Sequence, residues 1–198
     1  TVWLDANANG LLDTNGGEEY GLAGVTVSLI QDLDGDGVWD QGTEPIIATE
    51  ITDQNGEYLF TGLPATGEQD YLVWVNDTNN VLSNLEPTYD DDGIVTPNIS
   101  KVTDLDTDGN FDQDFGFAPP DHQTGDGIIG DTIFLDQNNN GVWDVGEGIE
   151  GVVVRLYDDD GTTILAQTTT NQDGLYFFGD LAVDQTYIVQ VQTNTLPF

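Results

Sequence analysis

The sequence predicts an all-β protein built as two tandem β-sandwich modules, and three observations carry that expectation. Apolar runs of four to eight residues alternate with polar ones and are separated by Gly/Asp/Asn clusters, the signature of short strands and turns. No stretch keeps a helical period. Finally, the chain repeats itself: Thr1-Val-Trp-Leu-Asp5-Ala-Asn7-Ala-Asn9-Gly10-Leu-Leu-Asp13 aligns with Thr132-Ile-Phe-Leu-Asp136-Gln-Asn138-Asn-Asn140-Gly141-Val-Trp-Asp144 at an offset of 131 residues.

The elements recur in order in both copies. Gly24-Val-Thr-Val-Ser-Leu29 and Gly151-Val-Val-Val-Arg-Leu156 read as half-buried strands. Thr52-Asp53-Gln-Asn-Gly56-Glu-Tyr58-Leu-Phe60 and Thr170-Asn171-Gln-Asp-Gly174-Leu-Tyr176-Phe-Phe178 read as a tight turn feeding an aromatic strand. Tyr71-Leu-Val73-Trp-Val75 and Tyr187-Ile-Val189-Gln-Val191 follow, and Asp114-Phe115-Gly116-Phe117 closes the first copy. Trp3, Phe134, Tyr58, Phe60, Tyr176 and Phe178 are expected in the cores, because they alternate at strand period. The expected division is module one at 1–118, a linker at 119–127 stiffened near Pro119-Pro120, and module two at 128–198, ending before any counterpart of residues 81–117 and so expected to lack its closing strand.

The most specific motif lies in module two. Asp136, Asn138, Asn140, Asp144 and Glu147 occupy positions one, three, five, nine and twelve of a loop with Gly141 at six. Calcium takes six to eight oxygens, so alternate side chains turn inward, the Val142 carbonyl fills position seven and Glu147 closes the cage with both oxygens. A polar Asx-rich turn would use similar residues, but it does not require Glu147. Trp143, and Trp39 in a similar loop of module one, are expected to cover the loop bases.

Three related loops lie in module one. Asp5, Asn7, Asn9, Leu11 and Asp13 repeat the spacing, with two extra residues displacing the closing acid to Glu18 or Glu19. Asp32, Asp34, Asp36, Val38 and Asp40 do so again, with Glu44 at thirteen instead of twelve; module two has only the short turn Asp158-Asp-Asp-Gly161 there. Asp104, Asp106, Asp108, Asn110 and Asp112 form a third loop without a closing Glu, where Asp114 is the candidate substitute. The acidic turn Tyr89-Asp90-Asp-Asp92-Gly93 reads as solvent-facing, with an oxygen to lend to a neighbouring ion as its alternative role. Three to six calcium ions are expected in all.

Composition agrees with a cation-dependent chain. There are 37 acidic residues against Lys101 and Arg155, a formal charge of −35 whose self-repulsion opposes compaction unless cations offset it. Nucleic acid is excluded as a partner, and no run of 18 apolar residues offers membrane insertion. Adaptation to high salt is an alternative cause of the acidity. Disulfides are absent because there is no Cys. Calcium loops of modest affinity fill at millimolar calcium, which points to an extracellular, secreted or cell-surface setting. With no Met and no signal peptide, the chain reads as an internal piece of a longer exported protein. His122 is the sole histidine and sits in the linker, so neither a nucleophilic triad nor a zinc site is assembled and no enzyme is expected. Asn76-Asp-Thr78 and Asn98-Ile-Ser100 fit glycosylation sequons.

The loop Asp136 to Glu147 with Gly151-Val-Val-Val154, the Asp173-Gly174-Leu-Tyr176-Phe-Phe178 segment and the Asp114-Phe-Gly-Phe117 terminator together resemble the B-type repeats of serine-aspartate repeat adhesins and the related collagen-adhesin B-type domains. That resemblance implies immunoglobulin-like or prealbumin-like sandwiches, several calcium ions per module, and a rigid stalk holding a binding domain away from a bacterial cell. Departures are the insertion before Glu18 and Asn171 in place of the usual acid, which is Asp53 in module one. The Lys-Asn isopeptide bond of some related domains is not expected, since Lys101 is the sole lysine. The expected partners are neighbouring modules of the same protein, identical subunits in a filament joined by strand complementation, and an unknown surface ligand. A ligand-binding adhesin domain is the alternative function, with Trp74 and the loop Val81 to Leu85 as its best candidate surface.

Overall fold

The computed structural model describes residues 1–13, 19–64, 69–103 and 105–197, and among them the periodic runs become twelve strands and one 3-10 turn. Two compact units result: Thr1–Asp5, Gly10–Asn79 and Pro87–Phe117 form the first, and Ala6–Asn9, Asn80–Glu86 and Ala118–Phe198 the second. The protein is all-β.

In the first unit, β1 (Val2–Leu4), β5 (Glu86–Asp90) and β7 (Phe115–Ala118) form one sheet in the order β1-β7-β5. The β1 and β7 strands run parallel, with Trp3 opposite Gly116. A Cβ on Gly116 would lie 2.7 Å from the Trp3 ring, so glycine lets the indole pack flat on the terminator strand. The facing sheet has the order β3-β2-β4-β6, from β2 (Thr26–Asp32), β3 (Ile46–Ile51), β4 (Asp70–Val75) and β6 (Ile99–Val102).

The central strand β2 departs from the half-buried expectation, because it is covered on both faces. Its polar face is buried with its hydroxyls paired: Ser28 Oγ lies 3.1 Å from Thr49 Oγ1 and accepts from Asn76 Nδ2 at 3.1 Å, and Thr26 Oγ1 lies 2.8 Å from Thr78 Oγ1. Each satisfied hydroxyl removes the penalty that would otherwise keep Ser and Thr at the surface.

In the second unit, β8 (Gly127–Thr132) pairs with β11 (Leu175–Leu181), and β10 (Ile164–Thr169), β9 (Val153–Asp158) and β12 (Tyr187–Val191) form a sheet in the order β10-β9-β12. Here β9 keeps the expected alternation, burying Val154 and Leu156 against Tyr176, Phe178 and Leu181. His122, also in this unit, is 4% exposed and has both nitrogens engaged. Its Nδ1 accepts from the Asp180 N–H at 3.3 Å, which leaves Nε2 to donate to the Ala6 carbonyl at 2.9 Å. The lone histidine is a packed structural residue.

Both units lock the same corner in the same way. Thr52 and Thr170 each accept from a backbone N–H, of Val25 and Val152, at 2.9 Å and donate to a carbonyl, of Leu22 and Ile149, at 2.6 Å. The following turns centre on Gly56 (φ 71°) and Gly174 (φ 77°), where a Cβ would fall 2.2 Å from the Val2 carbonyl oxygen and 2.1 Å from that of Ile133. Two aromatic expectations hold only in part. Trp3, Tyr176 and Phe178 are buried, but Tyr58, Phe60 and Phe134 are half-buried. Tyr176 and Phe178 ride on β11, laddered to β8, whereas Tyr58-Leu-Phe60 is laddered to no strand among the described residues. Its Tyr58 hydroxyl instead donates to the Gln113 carbonyl at 2.5 Å.

Candidate metal centres

The loop Asp136–Glu147 folds on its own carboxylates. Asp136 accepts from the N–H groups of Asn140 (3.1 Å) and Gly141 (2.9 Å), and Asn138 and Asn140 turn their amides onto Asp144 Oδ2 at 2.7 Å each. Glu147, 6% exposed, accepts from Gln137 N with one oxygen (2.9 Å) and from Asp144 N with the other (3.2 Å). Residues one, three, five, nine and twelve are thus tied together by hydrogen bonds, with the amide nitrogens of Asn138 and Asn140 turned to Asp144, while the Val142 side chain at seven is exposed.

The loop Asp32–Glu44 has the same construction despite its extra residue. Asp32 accepts from Gly35 N (2.7 Å) and Gly37 N (2.9 Å), and Glu44 accepts from Leu33 N (2.7 Å) and Asp40 N (2.9 Å). Leu33 and Asp40 hold positions two and nine, as Gln137 and Asp144 do, so Glu44 at thirteen takes the role of Glu147 at twelve. A local bridge between Gln41 and Glu44 absorbs the insertion. Trp39 lies at the loop base as expected: its Nε1 donates to the Glu44 carbonyl at 3.2 Å and its ring meets Trp74 at 4.5 Å. The carboxylates of Asp32, Asp34 and Asp36 each place an oxygen within 4.8 Å of the others. Asp34 sits above its ordinary pKa: the bond from the Asp36 N–H pulls it down, but desolvation and the charges of Asp36, Glu44 and Asp32 outweigh that pull.

Lys101, not singled out among the loop residues by sequence, is the one protein cation at this loop among the described residues. Its Nζ donates to the Gly35 carbonyl at 2.6 Å and lies 3.9 Å from Asp32 Oδ2. The signal was available in retrospect: the sole lysine of a −35 chain adjoins acidic turns.

In the first loop, Asp5 accepts from Gly10 N at 2.9 Å and Asn7 from Asn9 N at 3.0 Å. Asp13 N donates to Glu19 at 2.6 Å, the bond that Glu44 and Glu147 make to Asp40 and Asp144. Leu11, at position seven, is exposed. Glu18 lies outside the described residues, as does Asp104 of the third loop. In that third loop Asp106 accepts from Asp108 N (2.7 Å) and Asn110 from Asp112 N (3.2 Å), but Asp114 accepts from the Thr1 nitrogen at 2.5 Å.

Two further findings bear on the sequence reading. Asn171 reproduces the Asx turn of Asp53: Asp53 accepts from Asn55 N and Glu57 N at 2.8 and 3.0 Å, and Asn171 from Asp173 N and Leu175 N at 3.1 and 2.9 Å. The amide nitrogen of Asn171 also donates to the Val81 carbonyl, a bond a carboxylate cannot make. The acidic turn at Asp90 is not solvent-facing at its start, since Asp90 is 3% exposed at the end of β5.

The Asp32–Glu44 loop is the set whose geometry fits a hard divalent cation: Asp32, Asp34 and Asp36 bring carboxylate oxygens within 4.8 Å of one another, and Asp32 and Glu44 are buried carboxylates in a chain with almost no basic side chains.

A model of the SdrD B-like domain matches residues 1–117 and again 127–196. Serine-aspartate repeat-containing protein D of Staphylococcus aureus (strain Newman) is 34% identical over 195 residues, covering 97% of this chain and 13% of that protein. Serine-aspartate repeat-containing protein F of Staphylococcus epidermidis is 32% identical over 193 residues, covering 97% of this chain and 10% of its own length. Among solved structures, the shaft pilin SpaA of Lactobacillus rhamnosus GG (D295N mutant) aligns at 16% identity and a TM-score of 0.35, covering 96% of this chain and 87% of that one. The chain thus spans about an eighth of the first of these relatives.

Proposed function

From the premise that this chain belongs to the SdrD B-like domain family, we propose that it supplies calcium-stabilised structural modules to the stalk or fibre of a secreted or cell-surface protein. The observation that carries this reading is the shared closure of two loops, in which Glu44 and Glu147 each accept the N–H groups at positions two and nine, with Asp32, Asp34 and Asp36 drawn together in the first of them. Asp32, Asp34, Asp36, Asp40 and Glu44 would hold one ion, and Asp136, Asn138, Asn140, Asp144 and Glu147 another, with Asp5, Asn7, Asn9, Asp13 and Glu19 as a third set. Carbonyls of Leu11, Val38 and Val142 complete them. Asp106, Asp108, Asn110 and Asp112 form a weaker fourth set, lacking a closing acid.

Bound calcium supplies charge neutralisation and a fixed loop geometry. With free calcium at about ten times the dissociation constant, linkage gives ~1.4 kcal/mol per site, ~6 kcal/mol over four sites, comparable with the stability of a whole domain. The modules would be firm where calcium is near millimolar, outside cells, and their partners would be neighbouring modules of the same protein. The ligand-binding alternative loses its best surface, because Val81 and Leu82 are buried and Trp74 packs on Trp39.

Scanning calorimetry of the chain in millimolar calcium and in chelator, at constant ionic strength so that screening of the −35 charge is fixed, tests the proposal. A large fall in melting temperature in chelator, reversed by calcium and not by equal magnesium, is expected. An unchanged melting temperature would reduce the loops to Asx-rich turns.

A further inference from the structure

We infer that the first unit holds an open strand site along residues 57–61, filled by an extended antiparallel strand of the β8 kind that the polypeptide leading into Thr1 supplies in a longer protein of this family. The repeat fixes the register. Val2 donates to the Gly56 carbonyl and accepts from the Leu22 N–H at 2.8 Å each, as Ile133 does with Gly174 and Ile149 at 2.9 Å each. Trp3 bridges Gly21 as Phe134 bridges Gly148. Thr1 thus stands where Thr132 stands, and residues 57–60 stand where residues 175–178 do. In the second unit the ladder continues upstream, pairing Leu175 with Thr132, Tyr176 with Asp131, Phe177 with Gly130 and Phe178 with Ile129. In the first unit it stops: the main chain of Tyr58, Leu59 and Phe60 makes no hydrogen bond among the described residues. Such an edge offers its N–H and C=O groups to an added strand.

Beside that edge lies a groove of about 780 Å³, lined by buried Leu29, Val73 and Val102 and by half-buried Tyr58 and Phe60. The second unit shows what occupies the equivalent space. There Leu156, Tyr176 and Phe178, the counterparts of Leu29, Tyr58 and Phe60, are all buried, and Ile129 of β8 packs against their cluster. An aliphatic side chain in the Ile129 position would fill the groove while its backbone completes the edge. Asp53, Glu57, Asp106 and Asp108 line the same groove, so an acidic strand is disfavoured and an uncharged stretch such as Gly127-Ile-Ile-Gly130 has the chemistry that fits. A small apolar ligand would fill the groove but leave the edge unpaired. A strand in the β8 register runs directly into Thr1, so the preceding polypeptide supplies it without a separate binding event.

The full chain extended by a copy of residues 126–131 joined to Thr1 tests the assignment in calcium. It is compared with the unextended chain and with an extension whose copied stretch carries Ile129→Asp. The extended chain is expected to sediment as a monomer, to exchange the amides of residues 58–60 more slowly by about tenfold or more, and to melt its first unit roughly 4–8 °C higher. The Ile129→Asp extension should lose both gains. Equal exchange at residues 58–60 with and without the extension would overturn the inference. So would protection of those amides in the unextended chain that rises with concentration as it dimerises, since a second copy would then be the occupant. The amides of Leu33 and Asp40, read in the same experiment, report the calcium loop separately.

Discussion

The connection from β2 to β3 and the connection from β9 to β10 do the same job with acids held in different ways. Both join two antiparallel neighbours. The second is short, with three acids from Asp158 to Asp160, and Asp160 accepts from the N–H groups of Thr162 (2.7 Å) and Thr163 (2.8 Å) and from the Thr163 hydroxyl (2.8 Å), donors that hold its pKa down to about 2. The first carries five acids from Asp32 to Glu44. There Asp34 also accepts a backbone N–H, yet desolvation and three neighbouring carboxylates carry it the other way. The Asp160 carboxylate is thus served by donors of its own turn. The acids of the longer loop exceed what turning requires, and their mutual repulsion is what a bound ion would relieve.

The largest effect that sharpens this contrast is expected from Glu44→Ala. It removes two charge-assisted bonds from a buried carboxylate, about 2–4 kcal/mol, together with calcium binding at that loop. Urea unfolding in calcium reads the loss, and the second unit should keep its stability. Glu147→Ala should do the same to the second unit; unequal effects of the two would break the equivalence of positions thirteen and twelve. Next come Thr52→Val and Thr170→Val, each stranding a buried N–H and a carbonyl at about 1–3 kcal/mol. These should be indifferent to calcium, since neither threonine belongs to a loop set.

The smallest effect is expected at the Asp160 turn. Asp160→Ala should release protection of the Thr162 and Thr163 amides with little change in melting temperature. The pH dependence has a definite sign. The folded pKa is depressed, so the contribution of Asp160 is full above its ordinary value near 3.8 and is lost as pH falls through about 2. Amide exchange of Thr162 and Thr163 between pH 4 and 2 checks it.

Much of this contrast was legible in the sequence, because the loop spacing, the repeat and the strand periods are local. What escaped it depended on geometry that residue spacing does not carry. The rule of twelve could not anticipate the Gln41–Glu44 bridge or the bond from Asp13 N to Glu19. The covered polar face of β2 depends on Thr49, Asn76 and Thr78, from other segments. Asp90 read as solvent-facing because its neighbours Asp91 and Asp92 are acidic, whereas its burial at the end of β5 depends on packing against residues from other segments. Asn171 stood in the sequence only as a departure from the usual acid, whereas the bond of its amide to the Val81 carbonyl depends on a residue 90 positions away.

The central claim is that calcium holds the closing glutamates' loops while the Asp160 turn holds itself. The most direct test is residue-resolved amide exchange in millimolar calcium and in chelator, at one ionic strength, with magnesium as control. Protection at Leu33, Asp40, Gln137 and Asp144 should collapse in chelator and return with calcium alone, while Thr162 and Thr163 stay unchanged. Equal protection of the four loop amides with and without calcium would contradict the account.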